Sequence, residues 1–230
     1  GYFRFKTDGG STDESVAQIY MEQGSGDGGS RKCNMYFQVS DNGNPTTAMQ
    51  IENNKVITTY GDFKPGADVI MASGRGISFT ATSNATGMSS ELLDDYEEGV
   101  YDITIGGLGG GSVTMSSVKQ QFSYTKIGRQ VTVQGEISIT GVSSLSGTMT
   151  INLPFSVGST IGDLSSRTVG SFSSQNHNFN DFGLTIHSHT YEGQSVMYFV
   201  YHKDNGTWEY VNTNTLASNT EFRVSLTYFT

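Results

Sequence analysis

The sequence predicts an all-β protein with a β-stranded stem, a short helical neck and a C-terminal antiparallel β-sandwich head. Glycine accounts for 29 of the 230 residues and proline for only 3. Charged residues make up 15% of the chain, well below the ~25% of typical globular domains. Short runs of alternating apolar and polar residues are separated by turn-forming residues, which is the pattern of half-buried strands. We predict that the three parts span residues 1–62, 63–98 and 99–230.

The stem is predicted from five short runs separated by polar turns. The runs are residues 2–5, 16–21, 34–39, 48–51 and 56–58. The turns are rich in asparagine, aspartate and glycine, which adopt positive φ more readily than other residues. Strands this short, in a segment of about sixty residues, cannot bury a large core by themselves. We therefore expect the stem to be one part of a larger assembly.

The neck is predicted to be extended at first and then helical over residues 88–98. A serine can cap the start of this helix and a glycine can end it. Leu92, Leu93 and Tyr96 fall on one face at helical spacing. A helix of about two turns is unstable in isolation, so its apolar face is expected to dock on another surface.

The head shows the clearest strand patterns. Apolar and polar residues alternate over residues 131–139, 149–153 and 222–228, as in strands with one wet face. Residues 196–201 are apolar on both faces, as in a central strand or a subunit interface. Many closely spaced strands without intervening helices predict an antiparallel sandwich or barrel.

The lack of local core in the stem and neck predicts a homotrimer. A threefold arrangement would let three copies of the slender segment share one core. Folding would then be coupled to association, and stability would depend on protomer concentration.

Charge and composition exclude several classes of protein. The net charge of −9 opposes general nucleic-acid binding. The single cysteine, Cys33, excludes an internal disulfide and a cysteine-rich zinc site. No apolar run reaches the roughly 18 residues of a membrane-spanning helix, and the first residues do not have the pattern of a signal peptide.

Several ordered motifs support a family assignment. They are FQVSDNGNP (37–45) running into AMQI (48–51), SGRGISF (73–79), MSSELLDDYEEG (88–99), YTKIGRQVTV (124–133), INLPF (151–155) and TEF (220–222). In this order they resemble the C-terminal part of bacteriophage tail fibres, from about residue 35 onward. One departure is Val100-Tyr101, where related fibres tend to have Thr-Trp; we expect this position to pack rather than to bind.

The resemblance implies a homotrimeric fibre whose distal head meets the host surface. It implies a virion protein of the phage tail, assembled in the host cytoplasm, with a shaft and virion anchor upstream of residue 1. The expected partners are two further copies of the chain, the fibre shaft and tail, and a host-surface glycan or outer-membrane component. No catalytic residue, metal or cofactor is expected, and neither is membrane insertion.

The pair His187 and His189 could hold a metal. Residues two apart on a strand share a face, and three such pairs around an axis could offer six imidazoles. A polar strand face opposite Ile186 is the favoured interpretation, because only one such pair occurs.

Two other motifs are given structural interpretations. The glycine-rich residues 106–111 lack the Lys-Ser/Thr pair and the helix of a phosphate loop, which favours a strand connection. The acids Glu91, Asp94, Asp95, Glu97 and Glu98 lack the alternation of a calcium loop, and nothing places two of them across a sugar cleft. We interpret them as the solvated face of the neck helix.

The predicted receptor site combines a loop with aromatic residues. If strands alternate in direction, the connections near residues 106–111, 141–147, 174–182 and 203–206 lie at the end of the head away from the stem. Aromatic rings backed by amides and carboxylates suit sugars, although Trp208 could equally pack in the sandwich or between subunits. The residues predicted to face the receptor are Asn176, His177, Asn178, Phe179, Asn180, Asp181, Asp204, Asn205, Trp208 and Tyr210.

Two other functions remain open alongside receptor binding without catalysis. One is a tailspike-like enzyme that degrades polysaccharide, although such catalytic bodies are usually longer repeat structures. The other is a purely structural fibre module whose head only promotes trimerisation.

Overall fold

The computed structural model is all-β. It describes residues 2–6, 15–23, 33–41, 44–72, 75–79, 91–107, 109–159, 167–177, 185–202 and 206–230. The regular secondary structure of these residues consists of strands and one short 3-10 helix, Thr213–Thr215. None of the described segments is a helix long and apolar enough to cross a membrane. The chain divides into two compact units, Gly1–Ile70 and Met71–Thr230, called here the N-terminal and C-terminal units.

The N-terminal unit is one five-stranded antiparallel sheet. Its strands are β1 (Tyr2–Lys6), β2 (Ser15–Gln23), β3 (Cys33–Asp41), β4 (Asn44–Ile51) and β5 (Ile57–Thr59). Each strand pairs with the next one in the chain. The five runs predicted from the alternation of the sequence overlap these five strands.

The two faces of this sheet differ sharply in polarity. Phe3, Ile19, Phe37 and Met49 lie opposite one another across β1 to β4 and define an apolar face. The other face carries a hydrogen-bonded row, in which the Gln38 amide contacts Gln18 and donates to Thr47 at 2.9 Å, and a stacked pair of tyrosines. Of the side chains that the structure describes in this unit, none is fully buried. The sheet is therefore an amphipathic layer without a core of its own.

The C-terminal unit contains thirteen strands. They are β6 (Ile77–Ser78), β7 (Leu92–Leu93), β8 (Tyr96–Asp102), β9 (Ile105–Gly106), β10 (Ser112–Met115), β11 (Gln121–Ile127), β12 (Gln130–Ser143), β13 (Thr150–Asn152), β14 (Val169–Gln175), β15 (Ile186–Thr190), β16 (Val196–His202), β17 (Trp208–Tyr210) and β18 (Glu221–Phe229). β6 and β7 form a small separate pair.

The other strands form one curled antiparallel sheet. Their order is β8-β11-β12-β18-β14-β15-β16-β13-β9, with β10 added on β12 and β17 added on β16. The first and last strands of this order, β8 and β9, follow each other in the chain and are joined by only Ile103 and Thr104. The sheet therefore curls back on itself, and its inner face encloses the core.

The core is built from the alternation that the sequence shows. On β18, Phe222, Val224, Leu226 and Tyr228 are buried while the residues between them are exposed. The same alternation on β12 and β16 buries a set made of Val131, Val133, Ile137, Ile139, Met197 and Phe199.

The glycine at position 107 has φ 74°, and a Cβ there would collide with the Thr148 carbonyl, so the connection that follows β9 requires glycine at this position.

The helix predicted over residues 88–98 is wrong for residues 91–98, the part of it that the structure describes. Leu92–Leu93 pairs with Ile77–Ser78, and Tyr96–Asp102 pairs with β11. Between them Asp95 has φ 58°, which breaks helical geometry. A two-turn helix has little stability of its own, and pairing with the sheet outweighs it. The predicted boundary at residues 98/99 consequently falls inside β8.

Candidate functional site

The hydrogen-bond register brings the strand ends that lead into the predicted connections to one end of the curled sheet. β8 ends opposite the start of β11, where Asp102 pairs with Gln121. The start of β18, Glu221, pairs with Gln175 at the end of β14 and with Ser138 in the second half of β12. The end of β16, His202, pairs with Trp208 at the start of β17. The connections that contain Gly107 and Gly147 meet at this end, where the Thr213 hydroxyl donates to the Gly107 carbonyl at 2.7 Å and contacts that of Gly147 at 3.2 Å.

At this end Asn176 and His177 form hydrogen bonds to the segment between β17 and β18. Asn176 has φ 54° and donates from its side chain to the Asn219 carbonyl at 3.2 Å. The His177 Nε2 lies 2.6 Å from the Thr215 hydroxyl, and its ring is half-buried. Burial lowers the pKa of His177 to about 4, so the imidazole is neutral at pH 7. The hydrogen bond therefore connects the segment after β14 to the 3-10 helix Thr213–Thr215.

The rest of the predicted loop site lies outside the described residues. This applies to Asn178, Phe179, Asn180, Asp181, Asp204 and Asn205. The described part of the site therefore consists of Asn176, His177, Trp208 and Tyr210.

Trp208 and Tyr210 lie on the outer face of β17, away from the core. Trp208 is 43% exposed and Tyr210 is 39% exposed. Glu209 between them points the other way and accepts a hydrogen bond from the Tyr201 hydroxyl at 2.6 Å. Packing of Trp208 in the core, one of the alternatives left open by the sequence, is therefore not observed.

The register places further rings beside this pair. Trp208 is opposite His202, and Tyr210 is opposite Val200, which in turn is opposite His187. Val200 lies on the outer face between His187 and Tyr210 on the neighbouring strands, and only 4% of it is exposed. We call this set the aromatic wall: His187, His189, Tyr191, Tyr198, His202, Trp208 and Tyr210.

Stacked rings fix one face of Trp208. Its indole stacks on His189 with centroids 6.0 Å apart and planes 26° apart. His189 in turn lies 4.6 Å from the Tyr191 ring, and the Arg167 guanidinium lies over that ring at 5.0 Å. Rings held in this way on a sheet lose little conformational entropy on binding a ligand, and the exposed surface of Trp208 remains available.

The histidines of the wall contact other aromatic rings. Burial, and to a lesser degree the positive charge of Arg167, lowers the pKa of His189. Its Nε2 is buried and has no hydrogen-bond partner among the described residues. His187 and His202 lie edge to face with centroids 5.9 Å apart. Within the described part of the chain, no group of three or more histidine, cysteine or acidic residues could hold a metal ion.

A depression opens between three tyrosines of the wall. It is lined by Thr148, Tyr191, Gln194, Tyr198 and Tyr210, with a volume of about 380 Å³. The hydroxyls of Tyr191 and Tyr210 are hydrogen-bonded at 2.7 Å. This bond, together with burial, raises the pKa of Tyr210 to about 12, so the Tyr210 phenol keeps its proton at neutral pH.

The acidic residues at 91–98 do not form a helix face. Asp95 forms an ion pair with Lys126, whose side chain is buried. Glu97 accepts a hydrogen bond from Tyr124, and Glu98 accepts one from Tyr96 at 2.7 Å. These carboxylates therefore fasten β8 and the turn before it.

Neither Tyr191 nor Tyr198 is among the receptor-facing residues that the sequence predicts. The alternation within residues 196–201 is the signal for Tyr198, because it faces away from Met197 and Phe199. Its proximity to Tyr210, at 5.6 Å between centroids, depends on strand pairing. Compared with known proteins, the chain matches no family model, no curated protein and no solved structure.

Proposed function

We propose that this chain is the distal part of a phage tail fibre that binds a host-surface receptor, a glycan, as a homotrimer and without catalysis. The observation that carries the proposal is the aromatic wall, which presents Trp208 and Tyr210 on a rigid sheet. The tail-fibre motifs of the sequence add the biological setting, in which the curled sheet is the sandwich head and the fibre is part of the virion.

The chemistry of the wall supports a sugar as the ligand. An aromatic ring can stack on the C–H face of a pyranose while neighbouring hydroxyls and amides bond its hydroxyl groups. Trp208 offers the ring, and the phenols of Tyr191 and Tyr210 offer polar atoms beside it. Binding groups on a rigid scaffold are typical of recognition sites.

The N-terminal sheet supports assembly with two further copies. On its apolar face Phe3 is 77% exposed, Ile57 61% and Met21 55%. Soluble proteins rarely leave so many neighbouring apolar side chains in water unless they mark an interface. Three such sheets with their apolar faces directed to a common axis would form the trimeric stem, and several heads on one fibre would raise the apparent affinity.

Substitution of Trp208 by alanine tests the receptor site. We expect the W208A protein to lose at least tenfold in affinity for host cells or their purified surface glycans, as for a central aromatic residue of an interface. The matched control is Tyr96→Ala, since Tyr96 is 66% exposed on a different strand. Equal binding of wild type and W208A would contradict the proposal.

Two further measurements test the remaining parts of the proposal. Light scattering at micromolar concentration should give three times the chain mass of 24.8 kDa, and a monomeric mass would rule out the trimeric stem. Incubation with host capsule or lipopolysaccharide should release no oligosaccharide. Release of oligosaccharide would favour a depolymerase instead.

A further inference from the structure

The aromatic wall contains two adjoining surfaces that could each receive a sugar. One is the exposed surface of Trp208, and the other is the depression of about 380 Å³ between Tyr191, Tyr198 and Tyr210. Tyr210 belongs to both, because its ring stands edge to face with Trp208 at 5.2 Å and lies 5.6 Å from Tyr198. A ligand in the depression is therefore next to a ligand on Trp208.

The depression has the composition of a site for an uncharged sugar. Its lining consists of three phenol rings, one amide side chain and one hydroxyl side chain, without a charged residue. Arg167, whose guanidinium lies over the Tyr191 ring, is paired with Glu192, since its Nε contacts a Glu192 carboxylate oxygen at 3.1 Å. Among the described residues that line the depression, an anionic sugar would find no cation, whereas hydroxyl groups would find both donors and acceptors.

We infer that the wall binds a run of at least two linked neutral hexoses, one stacked on Trp208 and the next held in the depression. This inference rests on the proposed function and extends it to the length and charge of the ligand. Gln194 and Thr148 bond the hydroxyls of the second sugar, while Tyr198 supplies the ring beneath it. Binding positions that share a residue favour linked sugars over single ones, because the second contact becomes intramolecular.

The only tryptophan of the chain provides a direct readout. Because Trp208 is the single Trp of these 230 residues, the tryptophan emission of this chain reports on this surface alone. We would titrate the assembled protein with glucose, galactose and mannose, with the matching tri- to hexasaccharides, and with glucuronate as the charged comparison. We expect one neutral series to shift the emission, with the oligosaccharide at least tenfold tighter than its monosaccharide and no response to glucuronate.

Two substitutions separate the depression from the Trp208 surface. Gln194→Ala changes an exposed side chain, and Tyr198→Leu keeps an apolar side chain at a half-buried position. Both variants should lose most of the advantage of the oligosaccharide while binding the monosaccharide as before. Thermal denaturation of each variant checks that the head is still folded.

Four outcomes would overturn the inference. They are equal affinity for single and linked sugars, full oligosaccharide binding by both variants, a response only to the charged sugar, and no response to any sugar. Adsorption of the same protein to host cells is measured in parallel. If adsorption persists and depends on Trp208, the proposed function stands and only the two-sugar site is lost.

Discussion

The N-terminal and C-terminal units are made of the same kind of strand, but they differ in whether the apolar face of the sheet is covered. In the C-terminal unit the sheet curls until its inner face closes on itself and buries Phe122, Phe199 and Phe222 completely. In the N-terminal unit the strands follow one another as a single layer, and Phe3 on its apolar face stays 77% exposed. Alternation in a sequence thus predicts that a face is apolar, but topology decides whether the same chain covers it.

The difference has an energetic consequence. Burial of apolar surface is the main favourable contribution to folding, at roughly 25 cal/mol per Å². The C-terminal unit gains this contribution within one chain. The N-terminal sheet gains little of it until another surface covers the apolar face, so its stability should depend on concentration.

Separation of the two units would break this comparison most directly, and its expected effect is the largest. Residues 71–230 alone should unfold cooperatively at a midpoint that does not change with protein concentration. Residues 1–70 alone should be structured at high concentration and lose their β circular dichroism on dilution, because the layer lacks a core. A concentration-independent, cooperative transition of residues 1–70 would show that the sheet is self-sufficient.

A core substitution sharpens the comparison within the C-terminal unit. Phe199→Ala should lower the free energy of unfolding by about 3–5 kcal/mol, since Phe199 is fully buried against Phe172 and Phe222. The matched control is Phe229→Ala, at a position that is 36% exposed, with a loss below about 1 kcal/mol. Urea denaturation of residues 71–230 measures both values. Similar losses for the two variants would contradict the assignment of the core.

The smallest expected effect concerns the pH dependence of the C-terminal unit. The pKa of His177 is about 4 in the folded protein and ~6.5 in an unfolded chain. Between about pH 6.5 and 4 the His177 side chain is protonated in the unfolded chain but neutral in the folded protein. The free energy of unfolding therefore decreases as the pH drops through this range. His177→Gln should reduce this fall by on the order of 2 kcal/mol.

The control for this experiment is His202→Gln, because His202 is exposed on the outer face of β16. Stability is measured by urea denaturation at several values between pH 4 and 8. Above pH 7 the His177→Gln protein should show no dependence attributable to this residue. An unchanged acid-induced loss in His177→Gln would mean that carboxylates alone cause it.

Strand positions could be predicted from the sequence because alternation is a local property. The runs around Phe37, Ile137 and Leu226 all lie in strands of the structure. The region around Leu92 could not be predicted, since its spacing suits a helix and only pairing with Ile77–Ser78 makes it a strand. Pairing between segments that are distant in the sequence does not affect the local periodicity of apolar residues, so it cannot be predicted from that periodicity.

The candidate site shows the same limit. The common face of Trp208 and Tyr210 follows from residues two apart on one strand. The contacts of Trp208 with His189, and of Tyr210 with Tyr191 and Tyr198, depend on the order β15-β16-β17 in the sheet. Sequence alone could therefore single out the pair Trp208 and Tyr210 and the pair His187 and His189, but not the contact between the two strands that carry them.

The place of β18 in the sheet order has a consequence for biosynthesis. β18 lies between β12 and β14 and pairs with both, although it is made after every other strand of the sheet. While the ribosome is still translating, the two parts of the sheet have no strand to join them, so the unit cannot complete its fold until Glu221–Phe229 has emerged. Pairing at such long sequence separations is slow, and we expect nascent chains to need protection from aggregation during this interval.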